Sequence, residues 1–180
     1  MSTLLTIVLI IVALVALLLI IALFVARDFA IEEAVIINKP RSLVFDYLKH
    51  IKNQDNFNPW SMMDPDMKKE YRGTDGTVGF VSTWESTKTK GPGQGEQEIK
   101  QVREGERLDL ELRFIKPFAS VSPAFFSTEN TNTDQTKVTW GISGRMPYPM
   151  NLMIVGMGMN KQMGRELQNG LQTLKKVLED

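Results

Sequence analysis

The chain has 180 residues, with 21 Lys and Arg against 21 Asp and Glu, one His and no Cys. The lack of Cys excludes a disulfide framework and a Cys-based metal or redox site, and a single His excludes His-rich metal ligation. Zero net charge argues against a nucleic-acid binder that works by neutralising phosphates. All the charged side chains lie after residue 26, so the chain consists of two unlike pieces.

The first piece, residues 1–27, is predicted to be a membrane anchor. Residues 4–26 read LLTIVLIIVALVALLLIIALFVA and would form a helix about 35 Å long, enough to cross a hydrocarbon core of about 30 Å. A cleaved signal peptide would have a basic start, a shorter apolar region and a small-x-small cleavage site. A soluble core helix is rarely apolar on every side, and the span lacks the Gly-x-x-x-Gly motif of self-associating helices. We therefore expect one uncleaved transmembrane helix.

The second piece, residues 28–180, opens with a predicted strand over residues 29–37. Asn38 is expected to cap the amphipathic helix that follows. The apolar side chains of that helix recur at helical spacing over residues 41–51. Residues 53–60 are polar with two aromatics, which predicts a short second helix or a turn.

From there to about residue 145 the apolar pattern has period two, which predicts antiparallel strands with one covered face. Leu108, Leu110 and Leu112 alternate with charged residues in the clearest of them. Gly-rich or polar turns separate the runs. The predicted strands are 67–72, 78–84, 96–102, 108–115, 124–128 and 137–142.

The chain ends in a predicted amphipathic helix, with apolar positions spaced by three or four residues and charged residues between them. The spacing also fits a coiled-coil seam, but two heptads are too short to favour one. We expect the helix to cover the sheet of its own domain. Its apolar positions are Met163, Leu167, Leu171, Leu174 and Leu178.

This order of elements is that of the helix-grip fold, an α+β fold in which a curved antiparallel sheet wraps around a long C-terminal helix. From residue 29 onward the chain resembles the SRPBCC superfamily of START-like, birch-pollen-allergen-like and polyketide cyclase/dehydrase-like domains. It is most similar to the polyketide-cyclase-like branch of bacterial proteins with one N-terminal span. The resemblance is carried by Val44-Phe45-Asp46-Tyr47-Leu48, Asn58-Pro59-Trp60-Ser61, Gly76-Thr77-Val78-Gly79, Trp84-Glu85, Gly93-Gln94-Gly95-Glu96, residues 112–118, Thr139-Trp140 and residues 164–171.

The resemblance implies a cavity between sheet and helix but no single activity, because this superfamily hosts carriers, cyclases and hydrolases on one scaffold. It also implies a bacterial inner-membrane protein with a single span. No Lys or Arg precedes the span, whereas Arg27, Lys39 and Arg41 follow it. The excess of positive charge after the span favours a cytoplasmic soluble domain.

No set of residues predicts catalysis or metal binding. Nucleophilic catalysis would need an activated Ser or Thr with a nearby base, and His50 falls at the expected exposed end of a helix. The carboxylates of Asp64 and Asp66 are better explained as residues of a loop turn than as an acid–base pair. The carboxylates of Glu96 and Glu98 are better explained as residues on a solvated strand face. We predict no catalytic residue, no metal site and no cofactor.

Trp84-Glu85 is the feature that could distinguish an enzyme. A Glu85 that faced an apolar pocket would be a candidate acid or base. Val78, Phe80 and Trp84 share one parity, which predicts that Trp84 points inward and Glu85 outward.

The stronger signal is a Met-rich segment between residues 146 and 163, interleaved with glycines. Met adapts to irregular or changeable partners, so the segment could be a deformable gate at the cavity mouth. It could equally be core filler where packing is irregular. The aromatic candidates could likewise be ordinary core residues. The predicted ligand-binding residues are Trp60, Trp84, Phe114, Phe126, Trp140, Met150, Met153, Met157, Met163 and Leu167.

The sequence therefore predicts a membrane-anchored domain that binds a hydrophobic small molecule or lipid in an apolar cavity between the sheet and the C-terminal helix. Its expected partners are that molecule and the membrane, through residues 4–26, and no nucleic acid. A cyclase- or hydrolase-like enzyme and a regulatory interaction module with a filled cavity remain alternatives. The oligomeric state and the ligand are left open.

Overall fold

The computed structural model describes residues 2–88, 91–156 and 158–180, and its first element is the apolar helix α1, Thr3–Phe24. The Ser2 hydroxyl caps this helix by accepting a hydrogen bond from the backbone N–H of Leu5. Ala22 is the buried residue of α1, and the large apolar side chains along the rest of it are exposed. The rest of the chain therefore leaves α1 uncovered, and α1 is long and apolar enough to cross a membrane.

Seven strands form one antiparallel sheet. They are β1 Asp28–Ile37, β2 Lys68–Arg72, β3 Val81–Glu85, β4 Gln94–Arg103, β5 Arg107–Lys116, β6 Ser120–Asn132 and β7 Gln135–Arg145. Their order across the sheet is β1-β7-β6-β5-β4-β3-β2. The first strand thus pairs with the last, while each strand from β2 to β7 pairs with the next along the chain. We call the face that carries Leu108 and Leu110, both buried, the inner face of the sheet.

A short helical layer lies between β1 and β2. It consists of α2, Arg41–Lys49, a 3-10 turn over Ile51–Asn56, and α3, Pro59–Met63. The Asn58 side chain accepts a hydrogen bond from the backbone N–H of Trp60 and so caps α3.

The predicted cap at Asn38 is wrong. Pro40 is the residue that precedes the first turn of α2, so Asn38 lies too far upstream to reach the free amides of that turn. The Asn38 side chain instead accepts a hydrogen bond from Nε2 of Gln135, at 2.8 Å. It therefore joins β1 to the β6–β7 hairpin rather than starting a helix.

Two helices follow the sheet, the short α4, Leu152–Gly156, and the long α5, Met159–Glu179. Gly158 separates them with φ of +59°, a left-handed conformation that favours glycine. Leu167, Leu171 and Leu174 of α5 are completely or almost completely buried. The helix packs chiefly on β1 and also contacts β7 and α3, so the sheet grips it as the sequence predicted.

Aromatic rings fill the middle of the space between the sheet and α5. The Phe57 ring lies 6.0 Å from the rings of both Phe126 and Trp140 in edge-to-face geometry. The Phe126 and Trp140 rings are themselves 4.9 Å apart. We call Phe57, Phe126 and Trp140 the aromatic wedge. It separates the end of the inner space that lies towards α1, which we call the anchor end, from the end at the β6–β7 hairpin.

Candidate functional site

The inner face at the anchor end carries serine and glutamine side chains, whereas the next row towards the wedge is apolar. In the strand register, Gln97 of β4 lies opposite Ser82 of β3 and Leu112 of β5, and Leu112 lies opposite Ser122 of β6. The next row towards the wedge contains Ile99, Leu110, Ala124 and Ile142 in the same order. The two serines of this row fill less volume than large apolar side chains would, so this row is the part of the inner space where a ligand could sit.

Trp84 and Phe114 form the wall of this region at its outer end. Their rings meet edge-to-face at 5.8 Å, and the indole N–H of Trp84 donates to the carbonyl of Pro92 at 3.4 Å. A side chain at Gly95 would come within 2.5 Å of the Trp84 ring, so glycine lets the indole lie flat across β4. Glu85 is exposed, as the strand parity predicted.

Three of the predicted ligand-binding residues lie instead in the core. Phe126 and Trp140 belong to the aromatic wedge, and Phe126 is 1% exposed. Leu167 is buried on the face of α5 that packs against the sheet. These side chains could touch a ligand only at the inner limit of the site.

Trp60 and the methionines occupy the border of the inner space. The half-buried Trp60 ring packs edge-to-face on Trp140 at 6.0 Å. Met163 packs against the core from the first turns of α5, and Met150 and Met153 are half-buried beside α4. Met157 lies outside the described residues. Trp84, Phe114, Met153 and Met163 are thus the predicted site residues that lie at the anchor end and are only partly buried.

Sequence reasoning missed the residue that joins α4 to the anchor. The buried Asn151 side chain, 0% exposed, donates from Nδ2 to the carbonyls of Ala22 and Val25, at 2.7 and 2.9 Å. These carbonyls belong to the end of α1, where the helix supplies no partner of its own. A polar residue within a Met-rich apolar segment was the available signal.

Tyr148 adds a second link between the same parts. Its hydroxyl donates to the carbonyl of Leu19 at 3.2 Å, and the guanidinium of Arg27 lies 5.9 Å from the centre of its ring. We call Tyr148, Asn151 and the α1 carbonyls that they bind the anchor clamp. It fixes the start of the Met-rich segment against the end of α1.

The acidic residues that were considered for catalysis have structural partners. The buried Asp64 accepts a hydrogen bond from the hydroxyl of Ser86 at 2.6 Å and pairs with Lys88 at 3.2 Å. The Ser86 hydrogen bond, together with Lys88, lowers the pKa of the Asp64 carboxyl. The charged Asp64 carboxylate thus connects the end of α3 to the segment after β3. A carboxyl group held in its charged form is poorly suited to donate a proton.

Glu96 and Glu98 lie on the outer face of the sheet, where Arg113 pairs with them at 2.6 and 2.8 Å. Hydrogen bonding from Arg113 and Lys100 lowers the pKa of Glu98. His50 Nδ1 lies 2.8 Å from the carbonyl of Asp46 at the end of α2. Because a carbonyl only accepts, Nδ1 carries the proton in this contact. These groups stabilise the fold and do not converge on the inner face.

No three His, Cys, Asp or Glu side chains among the described residues are placed to hold a metal ion. Two open depressions, of about 450 and 360 Å³, lie at the end of the sheet remote from α1. Polar residues line both, including Asn38 and Gln135 in one and Arg41 and Arg107 in the other. Neither has the apolar lining expected for a hydrophobic ligand.

Neither a protein-family model nor a curated protein matches the chain by sequence. Solved structures match it by shape. Norcoclaurine synthase from Thalictrum flavum, in complex with dopamine and hydroxybenzaldehyde, has a TM-score of 0.60 at 12% identity, over 88% of this chain and 91% of its own. Protein CV1439 from Chromobacterium violaceum has a TM-score of 0.59 at 12% identity, over 84% and 98%. The Aha1 dimer from Colwellia psychrerythraea gives 0.54 at 14% identity, over 84% and 96%.

The chain has the helix-grip fold. It shares this fold with Bet v1-like and START-like proteins. At these identities the likeness concerns the fold, and function has to be argued from the site.

Replacing Asn151 with Ala should loosen α4 without unfolding the sheet, because it removes both hydrogen bonds to the end of α1. We expect amide hydrogen exchange over residues 148–156 to become about tenfold faster, as the loss of buried hydrogen bonds predicts. Asn132→Ala, which removes a side-chain hydrogen bond at the β6–β7 hairpin, is the matched control and should leave this segment unchanged. Unaltered exchange in the Asn151 variant would show that the anchor clamp does not hold α4.

Proposed function

We propose that the protein is a membrane-anchored domain that binds a hydrophobic small molecule or lipid at the anchor end of the space between the sheet and α5. The observation that carries the proposal is the row behind the Trp84–Phe114 wall, in which Ser82, Gln97 and Ser122 replace large apolar side chains. The middle of the same inner face is filled by the aromatic wedge. Norcoclaurine synthase, which has the same fold, holds two small aromatic molecules. That precedent supports small-molecule binding by this architecture.

The exposure of α1 supports the membrane anchor. A long apolar helix in water would expose a surface far larger than soluble proteins tolerate, and hydrocarbon is the solvent that suits it. Arg27, Lys39 and Arg41 follow α1 and no basic residue precedes it, which supports a soluble domain on the cytoplasmic side of a bacterial inner membrane.

Exposed apolar side chains at the anchor end support contact between the site and the bilayer. Ile115, Phe118 and Val121, at the β5–β6 hairpin, are all more than half exposed, and so is Val155 of α4. The hairpin lies three strands from β1, or about 14 Å along the sheet. The hairpin and α4 lie at the same end of the sheet as the end of α1. An apolar ligand could therefore pass between the bilayer and the site without crossing water.

A second candidate is an interaction module with a filled interior. The aromatic wedge favours it, because Phe57 already occupies the middle of the space that a large ligand would need. The two candidates differ in whether the anchor end holds a molecule.

The anchor is tested by fractionation and labelling. We expect the full chain to remain with membranes washed in alkaline carbonate, since a 22-residue helix of predominantly apolar residues resists extraction from a bilayer. In this Cys-free chain, Ser2→Cys should react with a membrane-impermeant maleimide in intact cells and Asp180→Cys should not. Release by carbonate would contradict the anchor, and labelling at position 180 alone would reverse the orientation.

Ligand binding is tested by filling the site. The full chain, extracted from membranes in mild detergent, should retain an apolar molecule that is detected by native mass spectrometry. Ser122→Leu adds volume on the inner face. It should reduce the occupancy of the bound molecule at least fivefold, because the leucine side chain and the molecule cannot fill the same space. Ser127→Leu, on the outer face of the same strand, should not change it.

Equal occupancy in wild type, Ser122→Leu and Ser127→Leu would place the bound molecule elsewhere and contradict the proposed site. Absence of any bound molecule from wild type, followed by failure to take up added lipid, would favour the interaction module.

A further inference from the structure

The small-residue row at the anchor end contains one large polar side chain, that of Gln97. It lies between Ser82 and Leu112 in the strand register and is 8% exposed. The residues on either side of it along the inner face of β4 are Gly95 and Ile99. A glutamine is an unusual choice at a position surrounded by apolar and small residues.

The Gln97 amide nitrogen has no hydrogen-bond partner among the residues that the structure describes. Buried polar groups in folded proteins are nearly always paired, and an unpaired one is disfavoured relative to an apolar side chain of the same shape. Gln54 is also buried with an unpaired amide nitrogen, but it lies in the 3-10 turn and not on the sheet. Gln97 is the one of the two that stands in the row of the candidate site.

The neighbours of Gln97 on the inner face of β3, β4 and β5 are uncharged. The inner-face residues of β3, β4, β5 and β6 in this region are apolar, glycine or hydroxyl-bearing, among them Ser82 and Ser122. Lys69 of β2, which lies opposite Trp84, already pairs with Asp55. A charged ligand group would be buried here without a counter-charge, which is strongly unfavourable.

We propose that Gln97 is the recognition residue for a neutral, carbonyl-bearing lipid. Its amide N–H donates to the carbonyl oxygen of an ester, ketone or quinone group, and the apolar part of the molecule lies against Trp84, Phe114 and the Met-rich segment. This inference rests on the proposed function and adds the polar group by which the site tells its ligand from other apolar molecules. A neutral carbonyl fits because it accepts a hydrogen bond without bringing a charge.

The test compares Gln97→Met with Gln101→Met. Met has nearly the volume of Gln and lacks the donor, and Gln101 is an exposed residue of the same strand. Binding of methyl dodecanoate and of tetradecane to the full chain is followed by tryptophan fluorescence at one fixed detergent concentration, so that partition into micelles is the same for every variant.

We expect Gln97→Met to weaken binding of methyl dodecanoate about tenfold, the value of one buried hydrogen bond, and to leave tetradecane binding unchanged. Gln101→Met should change neither. Because Gln97→Met removes an unpaired donor, its melting temperature without ligand should equal or exceed that of wild type.

Equal binding of methyl dodecanoate by wild type and Gln97→Met, with tetradecane still bound, would overturn the role of Gln97 and leave the proposed function standing. A parallel loss of both ligands, or a lower melting temperature without ligand, would assign Gln97 to the packing of the fold. Failure of wild type to bind either probe would overturn the site and the inference together.

Discussion

Phe57 packs edge-on against Phe126 and Trp140, and this contact fills the middle of the inner face of the sheet. The three rings come from the 3-10 turn, β6 and β7, so they join the helical layer to the centre of the sheet. Aromatic contacts of this kind bury large areas in a fixed geometry. The anchor end differs from this filled middle, because Ser82, Gln97 and Ser122 stand there in place of large apolar side chains.

The anchor end is also where the chain meets the membrane in our account. The anchor clamp ties Asn151 and Tyr148 to the end of α1, and the hairpin with Phe118 lies on the same side. One end of the molecule thus combines α1, an exposed apolar hairpin and the candidate site. A tether raises the local concentration of whatever the bilayer holds, so weak intrinsic affinity would suffice for exchange.

Local pattern predicted most of the fold and only part of the site. Period-two alternation located all seven strands, and the leucine spacing located α5, because each element shows one face to the core. The same parity placed Trp84 inward and Glu85 outward. The alternation of side chains along the strands could not show which part of the inner face is covered by other residues. The ring that covers its middle, Phe57, comes from a polar segment outside the sheet.

Three further features depend on contacts between distant parts of the chain. Asn151 gains its role from carbonyls about 130 residues earlier, and the free amide of Gln97 is visible only once its neighbours on β3 and β5 are known. Asn38 was read as a helix cap from its neighbours in sequence, whereas its partner is Gln135. Sequence patterns over short distances therefore identified the helices and strands. The polar contacts at the anchor end could be recognised only once the assembled sheet had brought distant residues together.

The most direct test of the central claim is to locate the free apolar volume with xenon, which enters apolar cavities large enough to hold it. The chain has three tryptophans, and 5-fluorotryptophan gives Trp60, Trp84 and Trp140 one fluorine resonance each, assigned by single Trp→Phe variants. In detergent-solubilised full chain, our account predicts that xenon pressure shifts the Trp84 resonance and leaves that of Trp140 in place. A shift at Trp140 with none at Trp84, or no shift at either, would contradict it.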